Sequence, residues 1–135
     1  MSRKKKYIPK SFESDSRSND TSANIYDSML ESVAFMDLTK SQRLLYLYMK
    51  KQYYGKRKPC KDYPDEQQFQ GDDLFYFPLG QAEQYKLYSR SNRGQFYSDI
   101  AALEAHGFIR TVSNGKFTKT KSIYQYSGDW KLWKP

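Results

Sequence analysis

The sequence predicts an α+β domain, mainly helical, closed by a small antiparallel sheet. Three observations predict it. Apolar residues recur at helical spacing in four segments between Ile25 and Leu103. A short aromatic run, Leu74-Phe75-Tyr76-Phe77, has the chemistry of a strand. After Gly107, two β-branched and aromatic arms flank Asn114-Gly115, a dipeptide that tolerates the positive φ of a tight hairpin. At 135 residues the chain is sized for one core. The expected organisation is a flexible basic arm over 1–22 followed by a single domain over 23–135.

Met1 to Ser22 is rich in Lys, Ser and Asn, with too little apolar surface to offset the entropy of ordering. Its run Arg3-Lys4-Lys5-Lys6 reads either as an arm that trails along phosphates or as a solvated tail. Ile25, Met29, Leu30, Val33 and Met36 predict the first helix. Thr39 followed by Gln42 is a capping box that opens a second helix. Leu44, Leu45, Leu47, Tyr48 and Met49 carry it on to Tyr54, with Gly55 as the stop, and this helix is expected to be the main support of the core. Gly55 to Asp73 has turn and charge chemistry, and Leu74 to Phe77 is expected to be a third strand beside the hairpin.

Pro78 suits the edge of a helix, and Leu79, Ala82, Tyr85 and Leu87/Tyr88 extend one over 79–88. Ser89-Arg90-Ser91-Asn92 breaks the rhythm, and Ser91 can cap a new helix beginning near Asn92. Phe96, Ile100 and Leu103 share its inner face. Gln95, Ser98 and Ala102 are read as the outer face, flanked by Asn92 and Arg93. Gly107 suits the left-handed residue past the helix end. Phe108, Ile109 and Val112 form a strand, the chain turns at Asn114-Gly115, and the return arm carries Lys116, Lys119 and Lys121 before the apolar Ile123, Tyr124 and Tyr126. Helix, tight polar break, helix and basic hairpin are the parts of a winged helix-turn-helix domain in chain order.

Particular residues carry a family resemblance. Leu103-Glu104-Ala105-His106-Gly107-Phe108-Ile109, the wing from Asn114 to Lys121, and Ile123-Tyr124-Gln125-Tyr126-Ser127-Gly128-Asp129-Trp130-Lys131 resemble the small winged helix-turn-helix proteins of Gram-positive conjugative elements, plasmids and phages. Ala34-Phe35-Met36-Asp37-Leu38-Thr39, leading to Tyr53-Tyr54-Gly55, is similar too. The resemblance runs from about Asn24 onward. It implies sequence-specific binding of double-stranded DNA by a transcriptional regulator, a replication initiator or an accessory protein at a transfer origin, without choosing among them.

Charge agrees with an anionic partner. The formal net charge is +8, from 23 basic and 15 acidic residues. From Gln84 to the end there are nine Lys or Arg and three acids, whereas Pro59 to Glu83 holds six acids and one lysine. Ser91, Asn92, Arg93, Gln95 and Ser98 are the expected base-reading set. Arg pairs bidentately with guanine O6/N7, and Asn or Gln with adenine N6/N7. Arg90, Asn114, Lys116, Lys119 and Lys121 are the expected wing and backbone contacts, with Arg3, Lys4, Lys5 and Lys6 from the arm. The competing reading of the helix face is an ordinary exposed amphipathic surface. Asp99 falls on its groove-facing edge in this reading and would repel phosphates, unless it accepts from cytosine N4 or orients Arg93. A homodimer on DNA and a protein docked on the acidic 59–83 segment are left open.

Cys60 and His106 are single, so no intrachain disulfide and no Cys/His zinc set are expected. His106, at a helix end, is read as capping a carbonyl or meeting the dipole. Trp130 and Trp133 are read as folding the tail back onto the core. No apolar run is long enough to span a bilayer, and the expected location is cytoplasmic. Without a phosphate-binding glycine loop or metal-ligand spacing, no enzyme and no cofactor are expected. The alternatives from other classes are a winged-helix protein-binding module or inhibitor, and a single-strand binder that stacks its many tyrosines on bases.

Overall fold

The computed structural model describes residues 9–15, 23–51, 74–113 and 122–135. In chain order these hold α1 (Asp27–Leu30), α2 (Val33–Asp37), α3 (Lys40–Lys50), β1 (Leu74–Tyr76), α4 (Leu79–Gln84), α5 (Arg93–Ala105), β2 (Ile109–Ser113) and β3 (Ile123–Tyr126). Short 3-10 turns, Arg90–Asn92 and Asp129–Leu132, precede α5 and follow β3. The fold is α+β with a three-stranded antiparallel sheet in the order β1-β3-β2.

The first predicted helix is two helices. Ser32 divides them, because its hydroxyl donates to Met29 O at 2.6 Å and accepts from Phe35 N at 3.2 Å, ending α1 and capping α2. The apolar set shifts accordingly. Met29, Ala34, Phe35 and Leu38 are buried, while Val33 and Met36 are 60% and 63% exposed. Arg43 then satisfies the carbonyls at the end of α2, donating to Phe35 O at 3.1 Å and Met36 O at 2.7 Å.

The Thr39 capping box forms as the sequence predicts, with Gln42 N donating to Thr39 Oγ1 and Thr39 N to Gln42 Oε1. It starts α3, which buries Leu45, Tyr46 and Met49. Helix α4 is shorter than the expected 79–88 span. Its last carbonyls close on a left-handed Lys86 (φ 61°), with Leu87 N bonded to Ala82 O and Lys86 N to Glu83 O. The same closure ends α5 at Gly107 (φ 83°), where Phe108 N reaches Leu103 O.

Leu74–Tyr76 does supply the third strand, pairing Leu74 with Gln125 and Tyr76 with Ile123. On the other side Ile109 pairs with Tyr126 and Thr111 with Tyr124; after an irregularity, Ser113 pairs with Ile123. A two-residue turn at Asn114-Gly115 would have paired Ser113 with Lys116. The observed register instead places residues 114–122 between the paired arms, and Asn114 to Lys121 lie outside the described residues.

Phe75, Phe77, Phe96, Phe108, Leu45, Met49 and Leu103 are the centre of the core. Phe108 joins its parts, with ring centroids 6.0 Å from Phe35, 4.9 Å from Tyr46 and 5.9 Å from Trp130, the last nearly parallel. The tail therefore folds back as expected. Trp133 stacks on His106 at 4.5 Å.

Two helix ends use the same backbone conformation under different constraints. At Gly107 an added Cβ would lie 2.6 Å from Trp130 N and 2.7 Å from Asp129 C, while Lys86 is exposed. Gly107→Ala should lower stability by about 2 kcal/mol or more, from left-handed strain plus displacement of the tail. Lys86→Gly should raise it by up to about 1 kcal/mol. Denaturant midpoints of the two variants check the pair, and equal effects of one sign would contradict this account.

Candidate nucleic-acid interface

Helix α5 runs for 13 residues, about 20 Å, with Phe96, Asp99, Ile100 and Leu103 buried. Gly94, Gln95, Tyr97, Ser98 and Ala101 are exposed, as are Arg90, Ser91, Asn92 and Arg93 just before and at its start. The six predicted residues on this stretch, Arg90, Ser91, Asn92, Arg93, Gln95 and Ser98, are thus all exposed, with Arg93 and Gln95 on opposite flanks of α5. Asn114, Lys116, Lys119, Lys121, Arg3, Lys4, Lys5 and Lys6 lie outside the described residues.

Local hydrogen bonds reassign several roles. The expected cap at Ser91 is absent. Ser89 N donates to Asn92 Oδ1 at 2.6 Å and the Ser89 hydroxyl to the same oxygen at 3.2 Å, so Asn92 closes the turn with its oxygen. Ser91 Oγ lies 2.8 Å from Ser89 Oγ. Arg90, with a side chain 92% exposed, has only a 4.0 Å approach to Glu83, an ion pair worth little in water.

Asp99 is the largest departure from the sequence reading. It is fully buried, not on the groove edge. Its Oδ2 accepts from Tyr88 Oη at 2.6 Å and Ser41 Oγ at 3.2 Å; its Oδ1 accepts from Gln95 Nε2 at 2.8 Å and Gln42 Nε2 at 3.2 Å. It therefore neither reaches cytosine nor orients Arg93. Its burial also removes the one carboxylate expected to oppose a phosphate backbone.

Tyr97 and Gly94 were missed by the sequence reading, which placed Ala102 on the outer face. Counting 100° per residue from Phe96 and Ile100 gives the observed face, centred on Gly94, Ser98 and Ala101 with Tyr97 beside them. Nothing lies within 4 Å of a Cβ built on Gly94, so the fold does not require glycine there.

Three buried phenols, on α3, after α4 and on β3, are held protonated. Burial pushes Tyr88 up, reinforced by its hydrogen bond to Asp99 and by the Asp99 charge. Burial pushes Tyr46 to about 12. Burial, with Tyr97 and Glu104 adding to it and a Ser122 hydrogen bond opposing it, pushes Tyr124 to about 12. Burial lowers Lys50. At Tyr85 burial acts upward but is outweighed by hydrogen bonds to Gln81 and Lys51 and by the Lys51 charge, so its value falls.

The sign follows from proton counts. Above the ordinary tyrosine value of 10.0 the unfolded chain loses protons that folded Tyr46, Tyr88 and Tyr124 retain, so their contribution to stability is lost as pH rises from about 10 towards 12. Lys50 and Tyr85 act in the opposite direction and finish near the start of that window. Tyrosinate absorbance at 295 nm should therefore show a late step coincident with loss of helical circular dichroism. Asp99→Asn should move the Tyr88 part of that step to lower pH, and an unmoved step would contradict the assigned cause.

Among the described residues no group of three or more His, Cys, Asp or Glu could hold a metal ion, and no helix is long and apolar enough to cross a membrane. Comparisons with protein-family models, with curated proteins and with solved structures found nothing that matches this chain.

Proposed function

We propose that the chain is a winged helix-turn-helix protein that reads double-stranded DNA with α5 in the major groove and the β2–β3 arms beside it. The observation that carries this reading is the fate of the acids. From Gln84 onward nine Lys or Arg face three acids. Asp99 is buried, Glu104 accepts from the Thr111 hydroxyl, and Asp129 lies 3.8 Å from Arg110. Arg90 and Arg93 stand exposed at the leading end of α5. Two of the three acids are thus taken up by hydrogen bonds of the fold and the third sits beside an arginine, while Arg90 and Arg93 face water, a balance that favours phosphate.

The order α3, β1, α4, α5, β2, β3 supports the same reading, since the lysine-rich segment joins β2 to β3 immediately after α5 and β2 in the chain. The major groove is about 12 Å wide and admits one helix with small outer side chains. Action as a transcriptional regulator, or as an accessory factor at a replication or transfer origin of a mobile element, is part of the proposal through the resemblance in sequence. A protein-docking role is the second reading, favoured by Tyr26, Val33, Met36 and Leu44, which are exposed on and around α1 to α3.

Fluorescence anisotropy with a labelled random duplex tests the proposal. Neutralising roughly five phosphates gives a log-log slope of affinity against salt of about −4 to −5. Lys119→Ala and Lys121→Ala should each make it shallower by about 1, weakening all duplexes alike, whereas Arg93→Ala should cost about 1 to 3 kcal/mol on a preferred site and less on random sequence. Affinity indifferent to salt, or equal competition by single strands, would defeat the proposal.

A further inference from the structure

Gln95 is exposed on α5, yet its carboxamide is held from beneath. Nε2 donates to Asp99 Oδ1 at 2.8 Å. A carboxylate only accepts hydrogen bonds, and all four of its contacts here are with groups able to donate: Tyr88 Oη, Ser41 Oγ, Gln42 Nε2 and Gln95 Nε2. Rotating the Gln95 amide by half a turn would set Oε1 against a buried carboxylate oxygen and leave that oxygen short of a donor, an arrangement that low dielectric penalises. The amide therefore keeps its nitrogen inward and its oxygen outward.

An outward oxygen has a definite meaning in the major groove. Adenine N6 and cytosine N4 are donors there, while guanine O6 and thymine O4 are acceptors. Resting on the DNA reading above, we infer that Gln95 reads an exocyclic amino group, adenine or cytosine against guanine or thymine, and that Asp99 is the positioning residue that fixes this choice from inside the fold. With the nitrogen held inward the amide offers one acceptor, so adenine and cytosine are read as a class through N6 or N4.

The test selects duplexes from a randomised library with the wild type, Gln95→Met and Asp99→Asn, at one salt concentration. The wild type should show one position where amino bases exceed keto bases by about tenfold, the size of a single hydrogen bond to a base edge. Replacing the selected base by its analogue without the amino group, purine for adenine, should cost the wild type the same factor and Gln95→Met nothing. Asp99→Asn should lose discrimination at that position alone, whereas a merely structural role would blur every position together. Should Asp99→Asn fail to fold, the wild-type Gln95 side-chain amide decides by NMR. Its protons should exchange with solvent more slowly than those of other exposed carboxamides, and free averaging overturns the positioning role. Sequence preference with no amino-selective position dependent on Gln95 overturns this inference alone. Absence of duplex binding at low salt overturns the DNA reading and the inference with it.

Discussion

The buried Asp99 carboxylate is the constraint on which the arrangement of helices depends. Removing an ion from water costs several kcal/mol even after relaxation, and no cation among the described residues pairs with Asp99 to offset that. Compensation comes from four hydrogen bonds to the charged group and from the first turn of α3, where Ser41 and Gln42 place the carboxylate at the positive end of the helix dipole. The donors sit on three separate pieces of chain: the start of α3, the turn that carries Tyr88, and α5 itself. Each must be in register for the ion to be tolerated, so the carboxylate sets the α3–α5 crossing and the geometry of the intervening turn together. The capping box belongs to the same network, since Gln42 accepts from Thr39 N while donating to Asp99.

A second lock closes the other end of α5. His106 Nδ1 lies 2.7 Å from Ala102 O and Nε2 2.8 Å from Asp37 Oδ2, so the ring spans the two oxygens. It ties the last turn of α5 to the end of α2, and Trp133 covers it. Next to it, the Gly107 carbonyl accepts from Trp130 N and the Phe108 carbonyl from Ser127 N. The two residues that lead from α5 into β2 are thus also those on which the tail docks. Secondary structure alone would not connect α2, α5, β2 and the C-terminal turn; these contacts do.

Features written in local chemistry were legible in the sequence. The Thr39–Gln42 box, the left-handed Gly107, the strand at Leu74–Tyr76 and the inward Phe96, Ile100 and Leu103 each follow from neighbours within a few residues. What failed depended on distant partners or on competition. Ser32 splits the predicted first helix because its hydroxyl serves two backbone groups at once, which apolar periodicity does not register. Asp99 read as an outer-edge residue because a carboxylate is normally solvated, and two of its donors, Ser41 and Gln42, lie 58 and 57 residues upstream. The α4 end was placed late because Tyr88 and Leu87 continue the apolar rhythm, although Lys86 has already turned the chain into the left-handed region. Of the candidate site, the predicted residues from Arg90 to Ser98 are exposed as expected, while the equally exposed Tyr97 and Gly94 had been given no place in it.

On the DNA reading proposed above, anchoring α5 through a buried ion divides its outer side chains into two kinds. Gln95 is oriented before any partner arrives, so binding need not freeze it, a saving of about 0.5 to 1.5 kcal/mol for a side chain with that many rotamers. Arg90 and Arg93 are exposed, and charge attraction draws such flexible cations to a polyanion without a fixed geometry. Gly94 lies between these kinds. A glycine in a helix costs about 0.5 to 1 kcal/mol relative to alanine, and here no packing inside the fold requires it. Its effect is to leave bare backbone at the centre of the outer face, beside Ser98 and Ala101, where on the proposed reading a partner can come close to the helix. On the proposed reading, the stability forgone at Gly94 sets how closely a partner can approach α5, and the ion buried at Asp99 sets the orientation of the Gln95 carboxamide.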